Sequence, residues 1–178
     1  ALVMGGAAQA QEAPAEEPAT AEADELVVTG SYIRRAVSDT PTPVSVIGTE
    51  ELDSQGILGA DYLFKNLPMA NGARSTPDNT NSPFQLGMGN INLRGLGVSS
   101  TLTLINGRRQ VVSPVPLDDG SSFVDINVIP LVMLERLEVL QDGGAALYGS
   151  DAVAGVANFV MREKFEGAQV RVSYQTTT

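Results

Sequence analysis

The stretch Leu134-Glu135-Arg136-Leu137-Glu138-Val139-Leu140, followed after Gly143-Gly144 by Ala145 to Asn158, decides how this chain folds. Arg136 to Leu140 alternates polar and apolar residues, the period of a half-buried strand. Gly143-Gly144 breaks the chain, Ala145 to Gly149 predicts a short helix with a glycine stop, and Val153 to Val160, rich in small and β-branched residues, predicts a buried strand. Immediately upstream, Pro130 suits the first position of a helical turn running through Leu134 and Glu135. Strand, break, short helix and strand thus follow one another in direct succession.

Working toward the N-terminus, Thr101-Leu102-Thr103-Leu104-Ile105 alternates as a strand. Asn106-Gly107, the strongest short-range hairpin signal, leads it into Arg108 to Val112. Asn90 to Gly95 also alternates and predicts another strand. Val44 to Ile47 predicts a short strand and Thr49 an N-cap for a helix over Glu50 to Gln55. Asp61 to Leu67 predicts a further turn or two of helix with Tyr62, Leu63 and Leu67 inward, stopped by Pro68. Two polar stretches, residues 71–90 and 113–122, are loops. Gly95, Gly107, Gly149 and Gly155 are expected at turns or close backbone approaches.

The flanks differ in character. Residues 11–25 hold six acidic and no basic residues, with Ala and Pro between them. They bury too little apolar surface to offset their ordering entropy and are expected to be disordered. Asp24 to Gly30, DELVVTG, is a β-prone burst closed by glycine. At the start, Ala1 to Ala10 runs from apolar residues into Ala8-Gln9-Ala10, the pattern of a signal-peptide tail cut before Gln11. At the other end, Val170, Val172 and Tyr174 alternate with Gln169, Arg171, Ser173 and Gln175 from Gly167 onward. A transmembrane barrel strand and an amphipathic strand of an ordinary sheet both read this way.

Composition excludes several functions. There is no Cys, so disulfides, thiolate metal sites and Cys nucleophiles are out, and no His, so neither a Ser-His-Asp triad nor a histidine zinc site can be built from this chain. Ser150, in Tyr148-Gly149-Ser150-Asp151, therefore lacks a base and is not read as a nucleophile. The formal charge of −10 argues against nucleic acid and anionic lipid headgroups as partners. No catalytic residue, metal site or cofactor is expected.

Three segments, in order, resemble one family, the TonB-dependent outer-membrane receptors. DELVVTG at 24–30 resembles a TonB box. Asn92 to Gly97 with Thr101 to Arg109 resembles the central plug signature. Ile129-Pro130, Leu134 to Leu140 and Ala146 to Asn158 resemble the end of the plug. The chain departs from the common pattern at Gln141-Asp142-Gly143, where many members carry an arginine.

The resemblance implies an α+β plug domain with a mixed sheet of about four strands and short helices, lying inside a barrel of about 22 strands. It divides the chain into a signal-peptide remnant (1–10), an acidic tail carrying the TonB box (11–43), the plug (44–166) and the first barrel strand (167–178). The rest of the barrel is absent, so a fragment of a longer product is expected. Outer-membrane location follows, as does a role in coupling and gating TonB-driven uptake of a small, scarce solute. The implied partners are TonB with its inner-membrane motor complex and the chain's own barrel. The alternative is a free plug-like module that binds TonB or a ligand without transport.

Glu25, Leu26, Val27, Val28 and Thr29 are the implied TonB-binding residues. An extended peptide docks by adding a strand to a sheet edge, which asks for β propensity and accessibility. Arg94, on the expected strand at 90–95, and Glu135, Arg136 and Glu138 must be paired if buried, with the barrel wall or within the domain. The loops at 71–90 and 113–122 correspond to substrate-facing apical loops, with Arg74, Asn79, Gln85 and Asp119 as polar candidates.

Overall fold

The computed structural model describes residues 26–27, 29, 35–36, 43–54, 59–74, 85–142 and 144–164. The expected signal-peptide remnant, most of the acidic tail and the expected barrel strand at 167–178 lie outside the described residues.

Seven strands and three short α-helices form among them. The N-terminal pair is β1 (Leu26–Val27) and β2 (Arg35–Ala36), antiparallel to each other. The main sheet contains β3 (Val44–Gly48), β4 (Thr101–Ile105), β5 (Arg108–Arg109), β6 (Leu134–Leu140) and β7 (Gly155–Met161), in the order β3-β6-β7-β4-β5. β4 and β7 run parallel and the other neighbours antiparallel, so the sheet is mixed as expected, with the two-residue β5 as its fifth strand. The helices are α1 (Thr49–Ser54), α2 (Ala60–Asn66) and α3 (Ala145–Tyr148).

Side-chain alternation along the strands gives the sheet two different faces. Ile47, Leu137, Val139, Ala157 and Phe159 point into the larger core, where Leu52 of α1, Leu63 and Phe64 of α2, and Ile91, Leu93, Ile126 and Ile129 of the connecting segments cover them. Phe64 and Phe159 meet with ring centroids 5.8 Å apart at 59°, a favourable tilted arrangement. The opposite face is divided. One half is apolar, with Val44, Leu102, Leu104, Leu140 and Val156 packed under Ala152 and Tyr148. The other half carries Arg136, Glu138 and Asn158.

Two local devices position this face. Asn106 and Gly107 have φ of 48° and 75°, the paired left-handed conformation of a tight hairpin turn. Gly155 opens β7 with φ of 141°, and a Cβ there would lie 2.5 Å from the Leu140 carbonyl oxygen. Glycine at this position lets β7 lie against β6.

Four expectations change. Asn90 to Gly95 is not a strand: Asn90 makes one isolated bridge to Arg74, and Leu93–Gly95 is a 3-10 turn with Arg94 at φ 56°. Two glycines follow within three positions and the backbone must turn, so alternation alone misleads. The turn after Pro130 covers Leu131–Met133, with Leu134 and Glu135 already in β6. The strand after the hairpin spans two residues rather than five. Tyr62 is exposed, and Phe64 rather than Tyr62 fills the core beside Leu63.

Candidate functional site: a polar cluster under the N-terminal strand

Glu138 stands in the middle of β6, opposite Asn158 of β7 on one side and Val46 of β3 on the other. It is wholly buried. A buried carboxylate is tolerable only when charge and hydrogen bonds compensate its lost hydration. Three donors do so. Arg136 Nε lies 2.9 Å from Oε1, Asn158 Nδ2 lies 3.2 Å from Oε2, and the Thr29 hydroxyl also donates to Oε2. Asn158 Nδ2 additionally donates to Thr29 Oγ1 at 2.9 Å. Thr29 therefore both gives and accepts in the cluster.

The amide of Asn158 is oriented from behind. Its Oδ1 accepts the Gly107 N–H at 2.9 Å. The turn that supplies this N–H is itself tied to β7: Asn106 Oδ1 accepts the Met161 N–H at 2.8 Å, and the Asn106 N–H donates to the Phe159 carbonyl at 2.9 Å. A chain of contacts thus runs from the β4–β5 turn through Asn158 to Glu138 and Thr29. Beside it opens a cleft of about 960 Å³ lined by Asn106, Arg136, Glu138, Asn158, Arg162 and Lys164, among others. Arg136 also pairs with the half-exposed Glu135 at 2.7 Å.

The residues singled out in the sequence fall into separate places. Of the N-terminal segment, Leu26 and Val27 form β1, Thr29 is buried against Glu138, and Glu25 and Val28 lie outside the described residues. The expectation of a freely accessible peptide changes here. The backbone of β1 is already paired with β2, and Thr29 is held by two side chains of the main sheet.

Arg136 brings Glu135 and Glu138 together, pairing with both carboxylates. Arg94 stands apart from them. Its guanidinium donates to the carbonyls of Val153 at 2.8 Å and Ala154 at 3.2 Å and lies 3.7 Å from Asp142. It braces the segment that leads into β7, with Asp142 standing in the stretch where the family pattern differs. Arg109 of β5 braces the residues just before that segment, 2.7 Å from Asp151.

The loop candidates separate further. Arg74 is exposed, and its backbone pairs with Asn90. Asp119 is exposed in a tight turn, where the Ser121 N–H and then the Ser121 hydroxyl hold its carboxyl below the usual range, with a smaller pull from Arg74. Gln85 is buried rather than facing outward, and its Nε2 donates to Asp118 at 3.1 Å, tying the two loops together. Asn79 lies outside the described residues. Asn158 is not among the site candidates that the sequence offers, and Asn106 stands out there only as a turn residue. An asparagine inside an otherwise small and apolar strand run was the available signal, because a buried amide must have partners.

A small mixed sheet with α1 and α2 over one face, and with α3 and Thr29 of the N-terminal segment against the other, defines a small α+β domain. Comparison with known proteins gives the particular family. The chain belongs to the TonB-dependent receptor plug domain family, whose model matches residues 36–156. It is 31% identical over 150 residues, 83% of this chain and 21% of the relative, to the iron-regulated outer membrane virulence protein of Vibrio cholerae. Among solved structures it resembles the siderophore receptor PirA of Acinetobacter baumannii, with 28% identity and a TM-score of 0.51 over 71% of this chain and 18% of that one. It likewise resembles a doubly substituted form of the ferric enterobactin receptor PfeA of Pseudomonas aeruginosa, with 26% identity, a TM-score of 0.51 and the same coverage. The chain spans about a fifth of the length of the curated relatives it matches.

Proposed function

We propose that this chain is the plug and energy-coupling part of an outer-membrane active transporter, gating the TonB-driven uptake of a ferric siderophore. The reading rests on one juxtaposition: a strand-forming DELVVTG segment lies just ahead of the matched plug domain, and its Thr29 is docked on the plug sheet. The iron-regulated relative and the siderophore receptors supply the substrate class. The family is one of receptors, and no catalytic step is assigned to the chain. Its place is the cell outer membrane.

The mechanism follows from where energy is available. The outer membrane holds no ATP, so force must arrive through a periplasm-spanning partner. Residues 25–29 take that force by adding a strand to an exposed edge of TonB, with main-chain hydrogen bonds bearing the load. β2 now occupies one edge of this strand and Thr29 is fastened to the sheet, so engagement requires the segment to leave both. Arg136, Glu138 and their neighbours hold the closed plug together, and the loops carrying Arg74 and Asp119 face the substrate side.

Val27→Pro in the full-length receptor tests the coupling role, since proline removes a ladder donor. Uptake of iron-labelled siderophore should collapse while binding at the cell surface persists. Unchanged uptake would remove Leu26 to Thr29 from the coupling role.

A further inference from the structure

We propose that Glu138 and Asn158 form a catch for the coupling strand, and that the Asn106–Gly107 turn sets it. The inference rests on reading residues 25–29 as the coupling segment. It adds which groups hold that segment and which element determines whether they can.

The geometry makes Asn158 a positioning residue. Its two amide atoms face opposite tasks. Oδ1 is occupied by the Gly107 N–H, which fixes the rotation of the amide and turns Nδ2 toward Thr29 Oγ1 and Glu138 Oε2. Thr29 then closes a three-member ring of hydrogen bonds, donating to Glu138 while accepting from Asn158. The ring is selective for a hydroxyl, because the position must both donate and accept. Glu138 keeps Arg136 in either state, so its charge remains paired when Thr29 departs. The adjoining cleft offers water a route to the vacated oxygen. Displacing the turn from Asn158 frees the amide to rotate and opens the ring at a distance from Thr29 itself. The β4–β5 hairpin is suited to this, since β5 is two residues long and lies at the sheet's edge.

Asn158→Asp tests the catch in the full-length receptor. The substitution keeps the acceptor for Gly107 and the shape of the side chain, but replaces a donor by a second carboxylate beside Glu138. Hydrogen bonds to charged groups are worth enough that the amides at 26–29 should exchange roughly 10- to 100-fold faster. The swapped pair Glu138→Gln with Asn158→Asp restores one donor and one acceptor and should return the exchange toward the parent rate. Unchanged exchange at 26–29 in N158D, with β6 and β7 still protected, overturns the catch. If N158D also exposes β6 and β7, Thr29→Ala decides in its place: faster exchange at 26–27 supports the catch, and unchanged exchange overturns it. Binding of the purified periplasmic domain of TonB separates the two readings. Retained binding by V27P defeats the coupling assignment whatever N158D does. Lost binding by V27P with unchanged exchange in N158D defeats the catch alone.

Discussion

Glu138 is a carboxylate without solvent exposure, and its stability is set by what surrounds it. Removing one partner of a buried ion pair leaves a charge that the interior cannot hydrate. Arg136→Met should therefore destabilise the domain by about 3 kcal/mol, read from the midpoint of chemical unfolding. Adding Glu138→Leu to it should recover most of that loss, because both charges then vanish together. A double variant as unstable as the single one would show that packing, not charge, dominates at this position. Arg136 and Glu138 were visible in the sequence as groups needing partners. Which partners they have was not, since Glu138 is covered by Thr29, 109 positions away. The alternation of Arg136 to Leu140 predicted a half-buried strand and left open what covers its polar side. Glu138 on that side is wholly buried, with Thr29 of the N-terminal segment against it.

At the scale of elements, the contact between β6 and β7 depends on Gly155. Its φ of 141° lies where side chains are strained, and an added Cβ would also meet Leu93 Cδ1 at 2.7 Å. Gly155→Ala should cost about 3 kcal/mol from strain and overpacking combined, measured as a lowered thermal midpoint. An unaltered midpoint would mean that β7 can shift away from the Leu140 carbonyl at little cost. The strands built on strong local signals, β3, β4, β6 and β7, form where alternation or β-branched runs place them. The segment at 90–95 does not. There an apolar alternation is interrupted by Gly95 and Gly97, both with positive φ, and the chain folds back to bring Arg94 onto the carbonyls of Val153 and Ala154. That contact lies some sixty positions downstream and overrides the local pattern.

For the molecule as a whole, the order β3-β6-β7-β4-β5 puts β3, the strand that follows the N-terminal segment in the chain, at an edge. Among the described residues β3 pairs with β6 alone, whereas β6 and β7 each have a neighbour on both sides. β3 therefore lies at the periphery of the sheet and β6 and β7 in its interior. Native-state hydrogen exchange should show amides at 44–48 opening at lower free energy than those at 135–139 and 156–160. Equal protection across the three strands would mean that the sheet opens only as a unit.

Amino-acid order alone, through local periodicity, glycine and proline punctuation and motif order, establishes the α+β class, the main strands, the hairpin at Asn106-Gly107 and the resemblance to the plug family. It also rules out cysteine and histidine chemistry. These are properties of short segments, legible because neighbouring residues dictate them. Folding settles the rest: the division of one sheet face into apolar and polar halves, the burial of Gln85 and Glu138, the redirection of Arg94, and the fastening of Thr29 to Asn158. Each of these joins groups far apart in the chain, and no local pattern encodes which distant donor will meet a given buried acceptor.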